Sequence, residues 1–178
     1  MAIRYWLVVQ PLDRARGMVS VGHVQVPWAT YEVMAAIGLS DGIALYSPRE
    51  RNPEGEPLRA FTGVGRVADA QPWRPGGRAA DIWRRRVDWE PDAQIAPMRP
   101  LRDVLDFIRQ DRYWGEQLRR GILEISRRDF EVIADAVRPG SPEPGRLPSF
   151  LSERQEPNPF PVHPDGWTPD AWWEPPVR

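Results

Sequence analysis

Short apolar runs, separated by turn-forming residues, recur along most of the chain. Some are continuous and others alternate apolar with polar residues, and several end at a Pro or follow an Asp-Gly pair. Both patterns predict strands, because successive side chains of a strand point to opposite sides of a sheet. The pattern therefore predicts about six short strands, over residues 5–9, 18–26, 43–46, 60–67, 82–89 and 122–125. Gly63 and Gly65 in the fourth run indicate a bulge or a close backbone approach.

Three other segments have the apolar spacing of helices. Residues 30–37 begin with Thr30, a residue favoured at helix N-caps, and a stripe at positions 101, 104, 105 and 108 predicts a second helix. Ser126, followed three residues later by Asp129, predicts the start of a final helix with Phe130, Ile133, Ala134 and Val137 facing inward. Short strands with few helices indicate a small mixed α/β barrel rather than a layered fold.

The composition of the chain changes after residue 138. Residues 139–178 contain 11 of the 21 Pro, so they cannot form a long helix or an interior strand. The sequence thus predicts a domain over residues 1–138 and a Pro/Trp-rich extension over residues 139–178. This extension also carries large apolar side chains, and we expect it to pack on the body or on a protein partner; they are Phe150, Leu151, Phe160, Trp167, Trp172 and Trp173.

The residue types that are missing exclude several kinds of chemistry. The chain has no Cys and no Lys, and its two His residues are far apart in sequence. A thiol nucleophile, a Schiff-base lysine and a His-rich metal site are therefore excluded. These absences favour a binding module over an enzyme, with no metal and no cofactor.

The charges are nearly balanced, with 24 Arg against 25 Asp and Glu. Such a chain lacks the broad basic face of a non-specific nucleic-acid binder, although a local Arg cluster remains open. Its start has no secretion-signal pattern, and no apolar stretch is long enough to span a membrane. We expect a cytoplasmic protein that does not bind membranes.

Several segments, in order along the chain, resemble the EVE domain. They are YWLVVQ at 5–10, DG at 41–42, YSPRE at 46–50, FTGVGRV at 61–67, PL at 100–101, FI at 107–108, WG at 114–115, RGILEI at 120–125 and DF at 129–130. The resemblance covers roughly residues 3–137 and not the extension. EVE domains belong to the PUA-like superfamily and are related to YTH domains, which hold a methylated adenine in an aromatic cage. The resemblance implies a PUA-like β-barrel of about six strands, flanked by helices, with a pocket for one modified base.

That resemblance also directs attention to particular residues. In the segment at 27–30 this chain has Pro-Trp-Ala-Thr where bacterial members have an Asn-His-Gly-Lys-like stretch, so polar groups expected at the pocket are absent. Trp28 and Trp83 lie where YTH domains supply cage walls. The expected base-binding residues are Trp28, Trp83, Tyr46, Ser47, Gln25 and Thr62, and the expected backbone-binding residues are Arg49, Arg84 and Arg86.

Each candidate also has a structural interpretation. Trp28 is equally suited to packing beside its helix, Trp83 to a buried barrel face, and Ser47 to shaping the Ser-Pro turn. His23 is expected to be structural, and an Arg run such as 84–86 is usually solvated. The sequence favours a non-enzymatic module that captures one base, with a modification, of DNA or RNA. The alternative is a nucleoside-like small-molecule or protein-interaction module that uses the same pocket and the extension.

Overall fold

The computed structural model describes residues 2–76, 82–110 and 113–140. Within them the chain forms seven strands and five α-helices, with a 3-10 turn at Arg99–Leu101. The strands are β1 (Tyr5–Val9), β2 (His23–Gln25), β3 (Gly42–Arg49), β4 (Pro57–Val67), β5 (Arg84–Trp89), β6 (Ala96–Pro97) and β7 (Ile122–Ile125). The helices are α1 (Leu12–Ser20), α2 (Tyr31–Ala35), α3 (Asp106–Arg109), α4 (Trp114–Arg119) and α5 (Arg127–Val137). Residues 141–178 of the predicted extension lie outside the described residues, so its predicted packing stays a prediction.

One curled sheet organises these elements into a half-barrel. Its strand order is β2-β5-β4-β3-β1-β7, and the short β6 pairs with β4. β1 and β3 are parallel and connected through α1, β2 and α2, whereas the other described pairs are antiparallel. The predicted mixed α/β fold, a small barrel-like sheet of about six strands with flanking helices, is confirmed.

Both faces of the central strands are buried, because helices cover each side. On β3, Ile43 and Leu45 belong to a core shared with α1, α2, β2 and β5. The alternate residues, Ala44 and Tyr46, belong to a second core under α3, α4 and α5. The period of two in the strand therefore divides its side chains between two apolar clusters.

The predicted strand over residues 18–26 is wrong in its first half. The helix α1 begins after Pro11, and its buried residues Leu12, Ala15 and Met18 recur at helical spacing. Gly22, with φ +70°, turns the chain, and only His23–Gln25 form a strand. The alternation failed as a signal because the same residues also fit the end of an amphipathic helix.

The predicted helix over residues 101–108 is divided into short turns, although all four residues of its stripe are buried. The division follows from the buried Asp129, whose carboxylate accepts the backbone N–H groups of Asp106 at 2.6 Å and Phe107 at 3.1 Å. These bonds begin a new helix, α3, at Asp106. Burial nevertheless raises the pKa of the Asp129 carboxyl.

The predicted final helix, α5, is confirmed, and the hydroxyl of Ser126 accepts the N–H of Asp129 at 3.0 Å.

The glycines on β4 are associated with both features that the sequence indicated, a close backbone approach and a β-bulge. A Cβ at Gly65 would lie 2.6 Å from the carbonyl oxygen of Asp88, so only glycine lets β4 and β5 approach this closely. Leu45 pairs with Gly63 and Tyr46 pairs with Phe61, which leaves Thr62 as the extra residue of a β-bulge.

A buried ion pair fixes β5 against the rest of the half-barrel. Arg85 is fully buried, and its Nε lies 2.6 Å from Oδ1 of Asp69. Its Nη groups donate to the backbone carbonyls of Met34 at 3.0 Å and Asp69 at 2.8 Å, while Oδ2 of Asp69 accepts the N–H of Arg86 at 2.7 Å. Arg85 thus connects β5, the end of β4 and α2. The expectation that the Arg run is solvated is wrong for this residue.

His23 occupies the partner strand of β5 and is also buried. Its Nε2 lies 3.3 Å from Oε1 of Gln25, an oxygen that also accepts Nε of Arg84 at 2.7 Å. Burial, reinforced by the charge of Arg84, lowers the pKa of His23 below its ordinary value of 6.5. The imidazole of His23 is therefore neutral in the folded protein at pH 7, in agreement with a structural role.

We expect Asp69→Asn to lower the free energy of unfolding by about 3 kcal/mol, because the buried Arg85 charge loses its counter-ion. Urea unfolding at pH 7 measures the change. Arg127→Gln is the matched control: its ion pair with Glu131 has the same 2.6 Å separation but is exposed, so the loss should stay below about 0.5 kcal/mol. Equal losses in the two variants would contradict the role of the buried pair.

We also expect a pH dependence that belongs to His23. Since its pKa is lower in the folded than in the unfolded protein, the unfolded chain binds more protons below about pH 6.5, and stability falls as the pH decreases through that value. Unfolding free energies at pH 7.5 and pH 5.5 should differ less in His23→Gln than in the unsubstituted protein. His163→Gln is the control, and a loss of the pH effect in that variant alone would refute the assignment.

Candidate functional site

Trp28 projects from a tight turn between β2 and α2. The N–H of Ala29 donates to the carbonyl of Val26 at 3.0 Å, and Pro27 occupies the second position of the turn, where its fixed φ is favourable. This geometry leaves the side chain of Trp28 outside the core, with 54% of its surface exposed. An indole of that exposure contributes little to the core and remains available for contact.

The Trp28 indole is nevertheless held in place, because it lies against the backbone of Gly121. A Cβ at Gly121 would lie only 3.2 Å from Nε1 of Trp28 and 3.4 Å from a methyl group of Val26. Gly121 also has φ +76°, a conformation that other residues adopt with strain. Glycine is thus required here both by its conformation and by the contact with Trp28.

A second aromatic group follows Trp28 closely in sequence. Tyr31 at the start of α2 packs edge-on against Trp83, with ring centroids 4.9 Å apart, and the guanidinium carbon of Arg74 lies 4.3 Å from the Trp83 ring centroid. Tyr31 is exposed and Trp83 is half-buried. We call Trp28, Tyr31 and Trp83 the aromatic edge.

The polar residues beside the aromatic edge are on β2 and β5. Gln25 pairs with Arg84 across the two strands and accepts its Nε–H, so one face of this amide is already engaged. The guanidinium carbons of Arg84 and Arg86 lie 5.6 Å and 5.9 Å from the ring centroid of Trp73. Arg86 is exposed, which leaves its charge accessible to an anionic ligand.

The other candidates from the sequence lie elsewhere. Tyr46 is a core residue whose ring packs on Phe61, and Ser47 is fully buried with its hydroxyl 3.0 Å from that of Thr62. Arg49 donates to the backbone carbonyl of Pro53 at 2.6 Å within its own loop. Neither Tyr46 nor Ser47 presents a binding surface in this structure, because both side chains are buried.

The strand register separates Ser47 and Thr62 from Gln25 and Arg84. In the β4–β5 ladder Arg66 pairs with Asp88, so Thr62 and Arg84 extend in opposite directions from that pair. At about 3.3 Å per residue, the two positions are about 25 Å apart along a straight strand. The nine candidates therefore form two groups rather than one pocket.

Thr62 lines a groove between α1 and the segment that follows β5. The groove has a volume of about 400 Å³, and its lining includes Arg16 and Val19 of α1 together with Trp89 and Glu90. A hydrogen bond from Arg138 lowers the pKa of Glu90, so its carboxylate stays charged. We call this cavity the α1 groove.

Sequence reasoning missed several residues at and beside the aromatic edge. Tyr31 is the first residue of a predicted helix, where an exposed aromatic side chain has no distinct pattern, and Arg74 lies in a loop. Trp73 was also missed. In the structure an isolated bridge pairs it with Arg84, and no acceptor for its buried Nε1 is found among the described residues. The Trp-Arg-Pro sequence at 73–75 was the available signal.

In the part of the chain that the structure describes, no helix is long and apolar enough to cross a membrane. Comparison with known proteins gives a family but no activity. No family model matches the chain. A UPF0310 protein of Renibacterium salmoninarum is 38% identical over 135 residues, which cover 75% of this chain and 94% of the relative. A UPF0310 protein of Mycobacterium avium is 37% identical over 134 residues, which cover 74% of this chain and 96% of the relative.

A solved structure of a hypothetical protein from Leishmania major agrees in fold, with a TM-score of 0.51 at 13% identity over 75% of this chain and 93% of that protein. An identity this low supports the fold alone. The two bacterial relatives, by contrast, share more than a third of their residues with this chain over almost their whole length. The chain belongs to the UPF0310 family.

Proposed function

We propose that this protein is a non-enzymatic nucleic-acid-binding module of the EVE type, which captures a single modified base at the aromatic edge. The observation that carries the proposal is the exposed indole of Trp28, which lies against Gly121 and precedes by three residues Tyr31, whose ring packs on Trp83. Contiguous exposed apolar surface marks interaction sites, and the proposal takes Trp28, Tyr31 and Trp83 as one such surface.

The chemistry of the aromatic edge suits a flat heterocycle. A base taken out of its stack regains favourable contact on an aromatic side chain, which contributes about 1–3 kcal/mol per base. A methyl group adds only about 0.8 kcal/mol of apolar burial, so preference for a methylated base requires a close-fitting wall. The indole of Trp28, restrained on one side by the Gly121 backbone, provides such a wall.

Arginine side chains near the aromatic edge would hold the phosphates. Arg74 and Arg84 already lie over Trp rings, and Arg86 is exposed beside them. Because the whole chain has a net charge of −1, this local cluster is not part of a broad basic surface. Affinity would then come mainly from the base, with weak binding to unmodified nucleic acid. A cytoplasmic location, expected from the sequence, belongs to the same proposal.

We expect Trp28→Ala to weaken binding of a methylated single-stranded oligonucleotide by about 10-fold or more, because it removes the stacking surface. Fluorescence anisotropy with matched methylated and unmodified DNA and RNA oligonucleotides measures the effect. Tyr113→Ala, which removes an equally exposed aromatic side chain elsewhere, should change the affinity less than twofold.

Equal affinities across the oligonucleotides, with no difference between Trp28→Ala and Tyr113→Ala, would refute the proposal. Free nucleosides form a further set of ligands in the same titration. Trp28-dependent binding of nucleosides without binding of oligonucleotides would identify the alternative, a module for nucleoside-like small molecules.

We expect Arg86→Gln to weaken oligonucleotide binding by a similar factor for methylated and unmodified bases, because a phosphate contact carries no base preference. The slope of log affinity against log salt should become shallower by about 0.7, the value for one neutralised phosphate of a single strand. Titrations at several salt concentrations measure the slope. Arg127→Gln removes an exposed charge from α5 and should leave it unchanged.

A further inference from the structure

The α1 groove is a second concave surface, and the nucleic-acid proposal does not use it. It lies between α1 and the segment after β5, and its apolar walls are Leu12, Val19, Val64, Trp89 and Ile95. Its volume of about 400 Å³ falls in the range typical of ligand pockets. Ile95 remains 40% exposed at this surface although the surrounding strands are well covered.

One polar group in the wall of the groove has no partner among the described residues. Trp89 lines the groove, and no acceptor for its buried Nε1 is found among the described residues. Buried indole N–H groups in proteins usually have a hydrogen-bond acceptor. The wall of this groove therefore contains one buried indole N–H for which the described residues supply no acceptor.

The end of the described chain lies beside the groove wall. The carbonyl of Val137, the last residue of α5, accepts the N–H of Gln94 at 2.7 Å. Arg138 donates to both carboxylate oxygens of Glu90 at 2.8 Å, and Glu90 is itself a lining residue. These bonds fix the start of the C-terminal extension at the same segment, residues 90–95, that forms the groove.

The first apolar run of the extension follows within a short distance. Residues 147–151 read Leu-Pro-Ser-Phe-Leu, and Leu147 is the seventh residue after Gly140. Seven extended residues span at most about 25 Å, which is comparable to the size of a small domain, so the run can reach the groove from its anchor. A tethered segment also binds at a high effective concentration, and its Pro reduces the conformational entropy lost on docking.

We propose that residues 147–151 dock into the α1 groove and cover its apolar walls. The occupant is part of this chain rather than a separate protein because the extension begins at the groove wall and supplies apolar residues of the required kind.

The absence of Cys from the chain makes the proposal directly testable in the full-length protein. A nitroxide spin label on Ser152→Cys, next to the proposed docking segment, should broaden the amide NMR signals of Val19, Thr62 and Ile95. A label on Thr168→Cys, farther along the extension, is the matched control and should broaden them less. In the labelled protein, Ile95→Glu should remove the broadening, whereas Leu39→Glu, another exposed apolar position, should preserve it.

Three results would overturn the proposal. The first is unchanged signals at the groove with the Ser152 label. The second is broadening that Ile95→Glu leaves intact or that appears at Trp28 and Tyr31 instead. The third is broadening that occurs only between molecules, detected by mixing spin-labelled protein with isotope-labelled protein, because the occupant would then be a second copy of the chain.

Discussion

The buried contact between Arg85 and Asp69 is the constraint on which the edge of the half-barrel depends. β2 has only three residues and pairs with β5, and β5 in turn is positioned by β4 and by the guanidinium of Arg85. This one side chain contacts α2, the chain beyond β4 and the carboxylate that also receives the N–H of Arg86. Trp83 and Arg84 immediately precede Arg85. The polar contacts that hold Arg85 therefore help to fix their backbone positions, in addition to apolar packing.

Hydrophobic periodicity was sufficient to predict the strands and helices whose paths are determined by the burial of apolar side chains. The strands at 5–9, 43–46 and 122–125 and the helix with Phe130 and Ile133 inward were all found from apolar spacing. Periodicity failed where a polar side chain decides the path of the chain. Asp129 begins α3 through two backbone N–H groups, and no apolar pattern encodes that interaction. The strand prediction for residues 18–20 failed for another reason. The same short sequence is compatible with the end of an amphipathic helix and with an alternating strand.

The candidate site was harder to predict from the sequence than the fold. The resemblance to EVE domains singled out Trp28, which the structure leaves exposed, and Trp83, which packs against Tyr31. It also directed attention to Tyr46 and Ser47, which the structure buries. A strand position alone does not say which side chains reach the surface, because that depends on which helices cover each face and on where bulges reverse the alternation. The bulge at Thr62 is such a reversal.

The contact between Trp28 and Gly121 has a geometric consequence for the half-barrel. Trp28 follows β2 and Gly121 precedes β7, and these are the first and last strands of the sheet order, so the contact brings the two ends of that order together. The carbonyl of Gly121 also accepts the N–H of Val9 at the end of β1. A side chain at position 121 would therefore disturb both the seat of the Trp28 indole and the backbone at the end of the β1–β7 ladder.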